Sequence, residues 1–318
     1  EMLDSVLNGE GIARSTASAL STVEGADLWD LFAAASRVRE RFRGDLVDVC
    51  SIVNAKSGAC TEDCSYCAQS VHHATDAPVY PLISVESVEA AALSARENGA
   101  KRFCIVTSGR GVEGRDDLET IARGIRRVKD AGLSSCATLG TLSRDQLAYL
   151  KDAGLDRYHH NIETSRKYFP RICSTHTFED RIEVLVRAKS LGLDLCSGGI
   201  LGMGEAMKDR IDMAFSLREI GADSVPINFL MPIAGTPLER IPPVEPLEAL
   251  KSLALFRLIL PEKEIRVCGG RGTALRSLHP LIFAAGADGF MIGNYLTQSG
   301  LDPREDLKMI LDLGLRIS

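Results

Sequence analysis

The sequence lacks an excess of positive charge: 37 Lys and Arg residues are outnumbered by 43 Asp and Glu residues, and the formal net charge is −6. Such a chain offers no basic surface for nucleic acid or for an anionic membrane. It also lacks an apolar run as long as a membrane span, because charge or glycine breaks each run early. No charged-then-apolar segment opens the chain. We therefore expect a cytoplasmic protein that binds neither nucleic acid nor a membrane.

Cysteine, by contrast, is abundant, with nine residues in a chain of 318. In a small secreted domain such a number indicates disulfides, but this chain is large and shows no export signal. An odd number also leaves at least one cysteine unpaired in any disulfide pattern. Thiolate ligands in a reducing compartment fit the composition better.

One pattern repeats along the chain: an amphipathic, helix-like stretch, then a glycine, then a short β-rich apolar run. The glycines that end the helix-like stretches are Gly99, Gly132, Gly154, Gly192, Gly221 and Gly286. Glycine at that position accepts the left-handed conformation that commonly ends a helix. The apolar runs, which we predict as strands, lie at 46–55, 102–107, 134–139, 156–162, 194–199, 223–229, 264–268 and 289–293.

This alternation of strands and helices predicts a parallel sheet with right-handed crossovers, and the number of units suits a closed (β/α)8 TIM-type barrel. An open doubly wound sheet is the alternative. A helical segment at 28–43 precedes the first strand, so we expect an N-terminal helical extension, residues 1–43, to cap a barrel formed by 44–318. Because no linker or low-complexity stretch interrupts the pattern, we expect residues 1–318 to form a single domain.

Three cysteines lie close together after the first predicted strand, in GACTEDCSYCAQS. Cys60, Cys64 and Cys67 have the spacing C-x3-C-x2-C, in a loop on the face where a parallel barrel carries its active site. Three thiolates can hold three irons of a 4Fe–4S cluster and leave the fourth iron free to bind a substrate. This spacing, with the aromatic Tyr66 before the third cysteine, resembles the signature of the radical S-adenosylmethionine (SAM) superfamily.

A structural zinc site is the alternative interpretation of this loop, with His72 or His73 as the fourth ligand. The resemblance favours the iron–sulfur cluster. It implies that the open iron binds the amino and carboxylate groups of SAM and that an electron from the cluster cleaves SAM to methionine and a 5′-deoxyadenosyl radical. A primary carbon radical attacks almost any neighbouring C–H bond, so this chemistry requires a closed, dry pocket.

Four further cysteines lie on predicted strands, near their C-terminal halves: Cys104, Cys136, Cys196 and Cys268. Side chains at the strand ends point into the barrel or its mouth, so these thiols can converge despite their separation in sequence. A single cysteine of this kind is usually a small buried hydrophobe. Four of them in one barrel, beside a cluster motif, favour a second iron–sulfur site. Cys50 and Cys173 are interpreted as core or surface residues.

Several segments resemble the biotin synthase family, in order and with family-like separations, over most of the chain from residue 28 onward. They are NAKSGACTEDCSYCAQS, RFCIVTSGRG, CATLGTLS, YHHNIETS, CSGGILGMGEAMKDR, SVPINFLMPIAGTPL and IRVCGGR. The resemblance implies a barrel, usually a homodimer, that inserts sulfur between two carbons of dethiobiotin to give biotin. It also implies an electron donor of the flavodoxin or ferredoxin type.

The same resemblance implies a role for each matching residue. The ligands of the SAM cluster are Cys60, Cys64 and Cys67. The ligands of a sulfur-donating auxiliary cluster, of the 2Fe–2S type in the family, are Cys104, Cys136, Cys196 and Arg266. The contacts to SAM are Tyr66, Asn161, Glu163, Arg181 and Ile200, where Glu163 replaces the Asp of many members. The contacts to the substrate are Lys56, Asn161, Asn228 and Thr297.

The chain departs from the family at Cys268, where many members have a residue without a thiol. Cys268 lies two residues after Arg266, so both side chains face the same side of the strand. Thiolate binds iron far better than guanidinium, which must first lose a strongly held proton. We therefore predict that Cys268 is the fourth auxiliary ligand and that Arg266 supplies a positive charge beside it. Four thiolates suit a four-iron cluster as well as the 2Fe–2S type.

Two other functions stay open at this point. The first is another radical SAM enzyme on the same barrel, of the hydrogenase-maturation or carbon-skeleton rearranging type, although it leaves the four strand cysteines unexplained. The second is a protein without enzymatic activity, an iron–sulfur electron carrier or a zinc-stabilised binding protein. Only a radical SAM enzyme would release 5′-deoxyadenosine from SAM under reduction.

Overall fold

A parallel β-barrel forms the centre of the molecule, for which a computed structural model describes residues 1–298 and 300–318. The strands are β1 (Leu46–Lys56), β2 (Arg102–Thr107), β3 (Ser134–Thr138), β4 (Arg157–His159), β5 (Asp194–Cys196), β6 (Gly199–Leu201), β7 (Ser224–Phe229), β8 (Glu264–Val267), β9 (Gly289–Met291) and β10 (Arg316–Ile317). They pair in the order β1-β2-β3-β4-β5-β7-β8-β9, and β9 pairs with β1. This last pairing closes the sheet, so the predicted (β/α)8 barrel is confirmed and the open sheet is excluded.

The predicted strand at 194–199 is interrupted in the structure. Its first half is β5, and its last residue, Gly199, begins β6, which continues to Leu201; both strands pair in parallel with β7. The break lies opposite Pro226, which has no N–H to donate to the neighbouring strand. At the same point Gly198 approaches so closely that a Cβ atom there would lie 1.9 Å from the Pro226 carbonyl oxygen. The strand β10, which pairs with the start of β1, was not predicted.

Helices surround the barrel on the outside. They are α1 (Met2–Leu7), α2 (Arg14–Leu20), α3 (Gly25–Arg43), α4 (Val85–Glu97), α5 (Arg115–Asp130), α6 (Arg144–Asp152), α7 (Phe178–Ser190), α8 (Met207–Ile220), α9 (Pro246–Ile259), α10 (Arg271–Leu275) and α11 (Pro303–Asp312). Helix α7 begins with a capping box, in which Thr177 and Asp180 each bond to the other's backbone N–H. This box fixes the first turn of α7 and therefore the position of Arg181, which lies in that turn.

The N-terminal extension consists of α1, α2 and α3, whereas the sequence predicted only the last of them. Helix α3 packs against α9 on the outside of the barrel. Its buried positions include Leu28, Leu31, Phe32, Ala35 and Val38, which recur at the spacing of one helix face. Among the described residues, no helix is both long and apolar enough to cross a lipid bilayer.

The strand register arranges the inward-facing side chains in layers. In a closed barrel of tilted strands, each layer takes one side chain from every second strand. Counted from the N-terminal end of the strands, successive layers are Arg102, Arg157, Ser224 and Gly289; then Cys50, Cys136, Cys196 and Arg266; then Cys104, His159, Pro226 and Met291; then Ile52, Thr138, Gly198 and Cys268. The strand cysteines therefore occupy three consecutive layers of the barrel interior.

Candidate active site

The loop after β1 holds three cysteines at the C-terminal end of the barrel. The buried carboxamide of Gln69 fixes the start of this loop, because its Oε1 accepts hydrogen bonds from Ser57 Oγ at 3.0 Å and from the Gly58 N–H at 3.2 Å. Three cysteines of the loop line one cavity, here called the cysteine-loop cavity: Cys60, Cys64 and Cys67. The structure thus brings together the three thiols that the motif predicts as cluster ligands.

A fourth thiol, which the sequence analysis assigned to the core or surface, lies beside this loop. Cys173 Sγ is 3.9 Å from Cys64 Sγ and 3.2 Å from Nδ1 of His176. The Cys64 thiol lowers the pKa of Cys173 to about 4, and the same contact raises the pKa of Cys64 well above its usual value. Glu62 in turn bonds to His176. Cys173 and His176 belong to an irregular segment, which has no periodicity from which their position could be predicted.

The two histidines of the zinc alternative contact backbone carbonyls. His72 Nε2 lies 3.1 Å from the Thr61 oxygen, and His73 Nδ1 lies 2.9 Å from the Cys67 oxygen. Among the described residues, the group whose ligand atoms do approach one another is Cys64, Cys173 and His176, within 4.8 Å. The geometry therefore directs neither His72 nor His73 toward the thiols.

Arg181 connects the cysteine loop to the end of β4. Its Nη1 donates to the Asn161 carbonyl at 2.8 Å and lies 3.5 Å from Glu163 Oε1, and its Nε donates to His176 at 3.0 Å. Burial raises the pKa of Glu163, and the charge of Arg181 opposes that rise. Glu163 has a left-handed backbone, with a φ of 68°, which is uncommon away from glycine. This conformation places a carboxylate on the wall of the cysteine-loop cavity.

A hydrogen-bonded chain that the sequence analysis missed runs from Thr138 to Asn161. Asn161 Oδ1 accepts from the Gly198 N–H at 3.0 Å, which fixes the orientation of the amide. The neighbouring His159 Nε2, at 2.9 Å from the same oxygen, must therefore carry a hydrogen, and Nδ1 accepts from the Thr138 hydroxyl at 2.6 Å. Burial lowers the pKa of His159 to about 4, so the ring is neutral near pH 7. The chain therefore holds Asn161 in one orientation.

A second cavity, here called the axial cavity, lies over the barrel interior. It encloses about 300 Å³, a volume within the range of small-molecule sites. Its lining includes nine of the predicted site residues: Tyr66, Cys67, Cys104, Asn161, Glu163, Ile200, Asn228, Cys268 and Thr297. The two cavities share wall residues, which are Tyr66, Cys67, Gln69, Val106, Thr138, His159, Asn161, Glu163 and Leu296. The two cavities are therefore neighbouring parts of one site.

Two of the predicted substrate contacts, Asn228 and Lys56, differ from each other in their position relative to the cavities. Asn228 faces the axial cavity, where its amide also bonds to the Gly199 carbonyl at 3.3 Å and to the Gly269 N–H at 2.9 Å. Lys56 lies apart from both cavities as the described residues form them. Its Nζ is 3.8 Å from an Asp117 carboxylate, and its side chain is 39% exposed.

Below the axial cavity, five buried thiols face the barrel interior, in what is here called the thiol chamber. They are Cys50, Cys104, Cys136, Cys196 and Cys268. Four of these were predicted as cluster ligands from the sequence, whereas Cys50 was interpreted as a core or surface residue. Cys268 and Cys104 also line the axial cavity, so the chamber opens toward that cavity. Contact with Cys268 is the largest cause that lowers the pKa of Cys50, and the nearby Arg266 adds to it.

The floor of the thiol chamber is positively charged. Arg266 donates to Asp48 at 2.6 Å and to Glu264 at 3.1 Å, and Arg157 donates to Glu264 at 2.7 Å. Burial alone would raise the pKa of Glu264, but these two guanidinium groups hold it well below its usual range. In this floor, three buried guanidinium nitrogens have no hydrogen-bond partner among the described residues: Arg102 Nε, Arg157 Nε and Arg266 Nη1.

Both groups of cysteines have the donor chemistry that iron–sulfur clusters require. The cysteine loop offers three thiols that line a cavity with room beside them. The thiol chamber offers five thiols above unpartnered N–H groups, which suit an anionic group because buried polar atoms rarely lack a partner. The residues therefore fit one cluster in the loop and a second in the chamber.

A (β/α)8 barrel with a three-cysteine loop at the C-terminal strand ends defines a radical SAM enzyme. The model of the radical SAM superfamily matches residues 55–217, and the model of the biotin and thiamin synthesis associated domain matches residues 226–316. The chain is 48% identical to biotin synthase of Geotalea daltonii, over 98% of this chain and 95% of that protein. It is also 48% identical to biotin synthase of Pelotomaculum thermopropionicum, over 100% and 99%. The chain belongs to the biotin synthase family.

Solved structures of more distant enzymes share the fold. The crystal structure of methylornithine synthase aligns with a TM-score of 0.86 at 19% identity and covers 100% of this chain and 97% of its own. The FeFe-hydrogenase maturase from Carboxydothermus hydrogenoformans aligns with a TM-score of 0.82 at 19% identity, over 99% of this chain and 78% of its own. Both likenesses concern the barrel fold alone.

Proposed function

We infer that the chain converts dethiobiotin to biotin by inserting one sulfur atom between two carbons that begin as CH3 and CH2. The arrangement of the cysteines carries this conclusion. One apolar cavity has a three-cysteine loop on one side and a buried thiol chamber beneath it. An enzyme that needs only a radical has use for the first group alone, whereas sulfur insertion also needs a sulfur donor within reach of the substrate.

Different residues around the cavity would serve the cleavage of SAM and the supply of sulfur. When bound, a 4Fe–4S cluster in the loop supplies the electron that cleaves SAM, and an auxiliary cluster in the chamber supplies the sulfur. Arg181, Glu163 and Asn161 surround the place beside the loop where the polar end of SAM binds, with Tyr66 and Ile200 as contacts to its adenine. The wall of the axial cavity is largely apolar, which limits the contact of water with a carbon radical and so its side reactions.

For the auxiliary cluster we propose Cys104, Cys136 and Cys196 as ligands, with Cys268 as the fourth. Arg266 then acts as a neighbouring positive charge, because two of its nitrogens already bond to Asp48, Glu264 and Ser224. For the substrate we propose Asn228 and Thr297 on the wall of the axial cavity, with Asn161 shared between substrate and SAM. Lys56 joins them only if its side chain leaves Asp117.

The remaining proposals rest on the family resemblance. We propose that residues 1–318 form one domain, in support of which strands from both matched stretches pair within a single sheet. We also propose a homodimer in the cytoplasm that receives electrons from a flavodoxin or ferredoxin-type donor. The free cysteines, which a reducing compartment would preserve, support that location.

Product analysis tests the proposed function. The reconstituted enzyme is incubated without oxygen with SAM, a reductant and dethiobiotin, and the products are measured by mass spectrometry. We expect biotin together with one 5′-deoxyadenosine for each of the two C–H bonds that are broken. Release of 5′-deoxyadenosine without biotin would favour another radical SAM reaction. A chain that releases neither product would be an iron–sulfur or zinc protein without this activity.

The Arg181→Lys variant tests the SAM site. Lysine keeps the charge but loses the planar fork that matches a carboxylate, so we expect a loss of roughly 1–3 kcal/mol in SAM binding, or about 5- to 150-fold in Kd. Equilibrium dialysis of the loaded enzyme measures this loss. Arg187→Lys, on the same helix but bonded to Glu183, is the matched control. An unchanged affinity in Arg181→Lys would remove Arg181 from the SAM site.

A further inference from the structure

Cys50 lies in the same interior layer as two of the proposed auxiliary ligands. The register of β1 with β2 and β9, followed around the barrel, puts Cys50, Cys136, Cys196 and Arg266 at one level. Four residues of one layer meet near the barrel axis. Cys268 lies two layers above, where it lines the axial cavity. By its level in the barrel, Cys50 is therefore closer to Cys136 and Cys196 than Cys268 is.

The surroundings of Cys50 differ from those of a cysteine that only fills space. A packing cysteine lies among hydrocarbon groups. Cys50 instead packs against the Cys268 thiol and Met291, and it forms a cluster separate from the main hydrophobic core. Its layer neighbour Arg266 is 2% exposed and has a guanidinium nitrogen, Nη1, without a partner among the described residues. Arg266 is paired with Asp48 and Glu264 through its Nη2, so this one N–H remains free to bond to an anionic occupant beside the thiols.

We propose that Cys50 is an iron ligand of the auxiliary site, which makes the thiol chamber a five-thiolate site. The proposal rests on the proposed function, because it requires an auxiliary cluster in the chamber. A four-iron cluster in which every iron has a cysteine ligand takes four thiolates, and Cys104, Cys136 and Cys196 supply three. Cys50 and Cys268 contact each other, so both can serve the remaining iron. A second thiol there keeps that iron supplied with a sulfur ligand after one sulfide has been given to the substrate.

The position of the two thiols assigns them different sides of the site. Cys268 faces the axial cavity, where the substrate would lie, whereas Cys50 lies deeper in the barrel beside the arginine floor. We therefore expect sulfur to leave on the side of Cys268, while Cys50 would hold the same iron from the deeper side. This arrangement predicts that loss of Cys50 weakens iron retention.

The first experiment uses the full-length Cys60→Ala/Cys64→Ala/Cys67→Ala chain, reconstituted without oxygen, so that only the second site binds iron. We expect Cys50→Ser in this background to change the Mössbauer spectrum and to release iron to a chelator about 10-fold faster or more, since even the loss of an outer partner costs that much in metal affinity. Cys173→Ser, which removes a buried thiol outside the chamber, is the control and should match the parent. If Cys50→Ser left both the iron retention and the Mössbauer spectrum unchanged, the proposal would be overturned.

Failure of the proposal is distinguishable from failure of the proposed function. Cys136→Ser is measured in the same background. If this variant also retains iron unchanged, the chamber is not the iron site, and the proposed function loses its sulfur donor. If the Cys50→Ser chain folds poorly, the Cys50→selenocysteine variant is used instead, because selenocysteine keeps the size and the ligand character of cysteine. Iron–selenium scattering at the iron absorption edge is the expected result. Its absence in a fully loaded chain would show that residue 50 does not bind iron.

Discussion

Cys136→Ala is expected to abolish biotin formation while SAM cleavage continues. The thiol of Cys136 lies in the chamber beneath the axial cavity, among Cys50, Cys196 and Arg266, and away from the cysteine loop. Radical generation needs only the cluster in the loop, so the variant retains that reaction. Without an auxiliary ligand, however, the sulfur donor is lost. A single turnover measured for both biotin and 5′-deoxyadenosine separates the two effects in one sample.

The matched control for this experiment is Ser135→Ala. Ser135 is the neighbour of Cys136 on β3, but its side chain faces away from the chamber and bonds to the Gly154 carbonyl at 2.7 Å and to Asp156 at 3.2 Å. It therefore reports the cost of disturbing the strand without touching the thiols. If Cys136→Ala formed biotin at the single-turnover yield of the unsubstituted enzyme, the sulfur would come from elsewhere.

The barrel was predictable because its signals are local. Helices α4 to α8 are each followed within two residues by a glycine with positive φ, for example 87° at Gly99 and 66° at Gly221. The run at 102–107 coincides with β2. By contrast, the break between β5 and β6 depends on Pro226 of a different strand, which the sequence of residues 194–199 does not contain. Contacts between distant segments decide such details.

The residues of the site were also predictable only where they are neighbours in sequence. The sequence grouped Cys60, Cys64 and Cys67 because they are neighbours in one loop. Cys50 was left out because only the pairing of β1 with both β2 and β9 determines which layer it joins. Side chains two residues apart on a strand face the same side, so Cys50 shares its face of β1 with Ile52. If β1 is taken as a barrel strand, this spacing is enough to predict that Cys50 and Ile52 share a face.

Two further residues were missed for different reasons. His159 follows no motif of its own, and its role emerges from the hydrogen bonds that join it to Thr138 and Asn161. Cys173 lies more than 100 residues after Cys64 in sequence, and the two meet only because a segment after β4 folds back onto the cysteine loop. Neither contact follows from spacing along the chain.

Cys64→Ala is expected to reduce 5′-deoxyadenosine formation to background. Three thiolates hold three irons and leave the fourth for SAM, so removal of the central thiol leaves a cluster that is unstable or does not bind SAM. The measurement is 5′-deoxyadenosine release under anaerobic reduction, alongside the iron content of the chain. Ser65→Ala is the control within the same loop, because its backbone N–H keeps its hydrogen bond to the Ile172 carbonyl at 2.8 Å.

Cys173 adds a second arm to this test, because its sulfur lies 3.9 Å from that of Cys64 and therefore beside the position that Cys64→Ala vacates. The Cys64→Ala/Cys173→Ala double variant removes this sulfur as well. Residual release in the single variant that disappears in the double variant would mean that Cys173 had replaced the lost ligand. Release at the level of the unsubstituted enzyme in the double variant would contradict the assignment of the loop, because no thiol would then remain at the Cys64 position to hold the third iron.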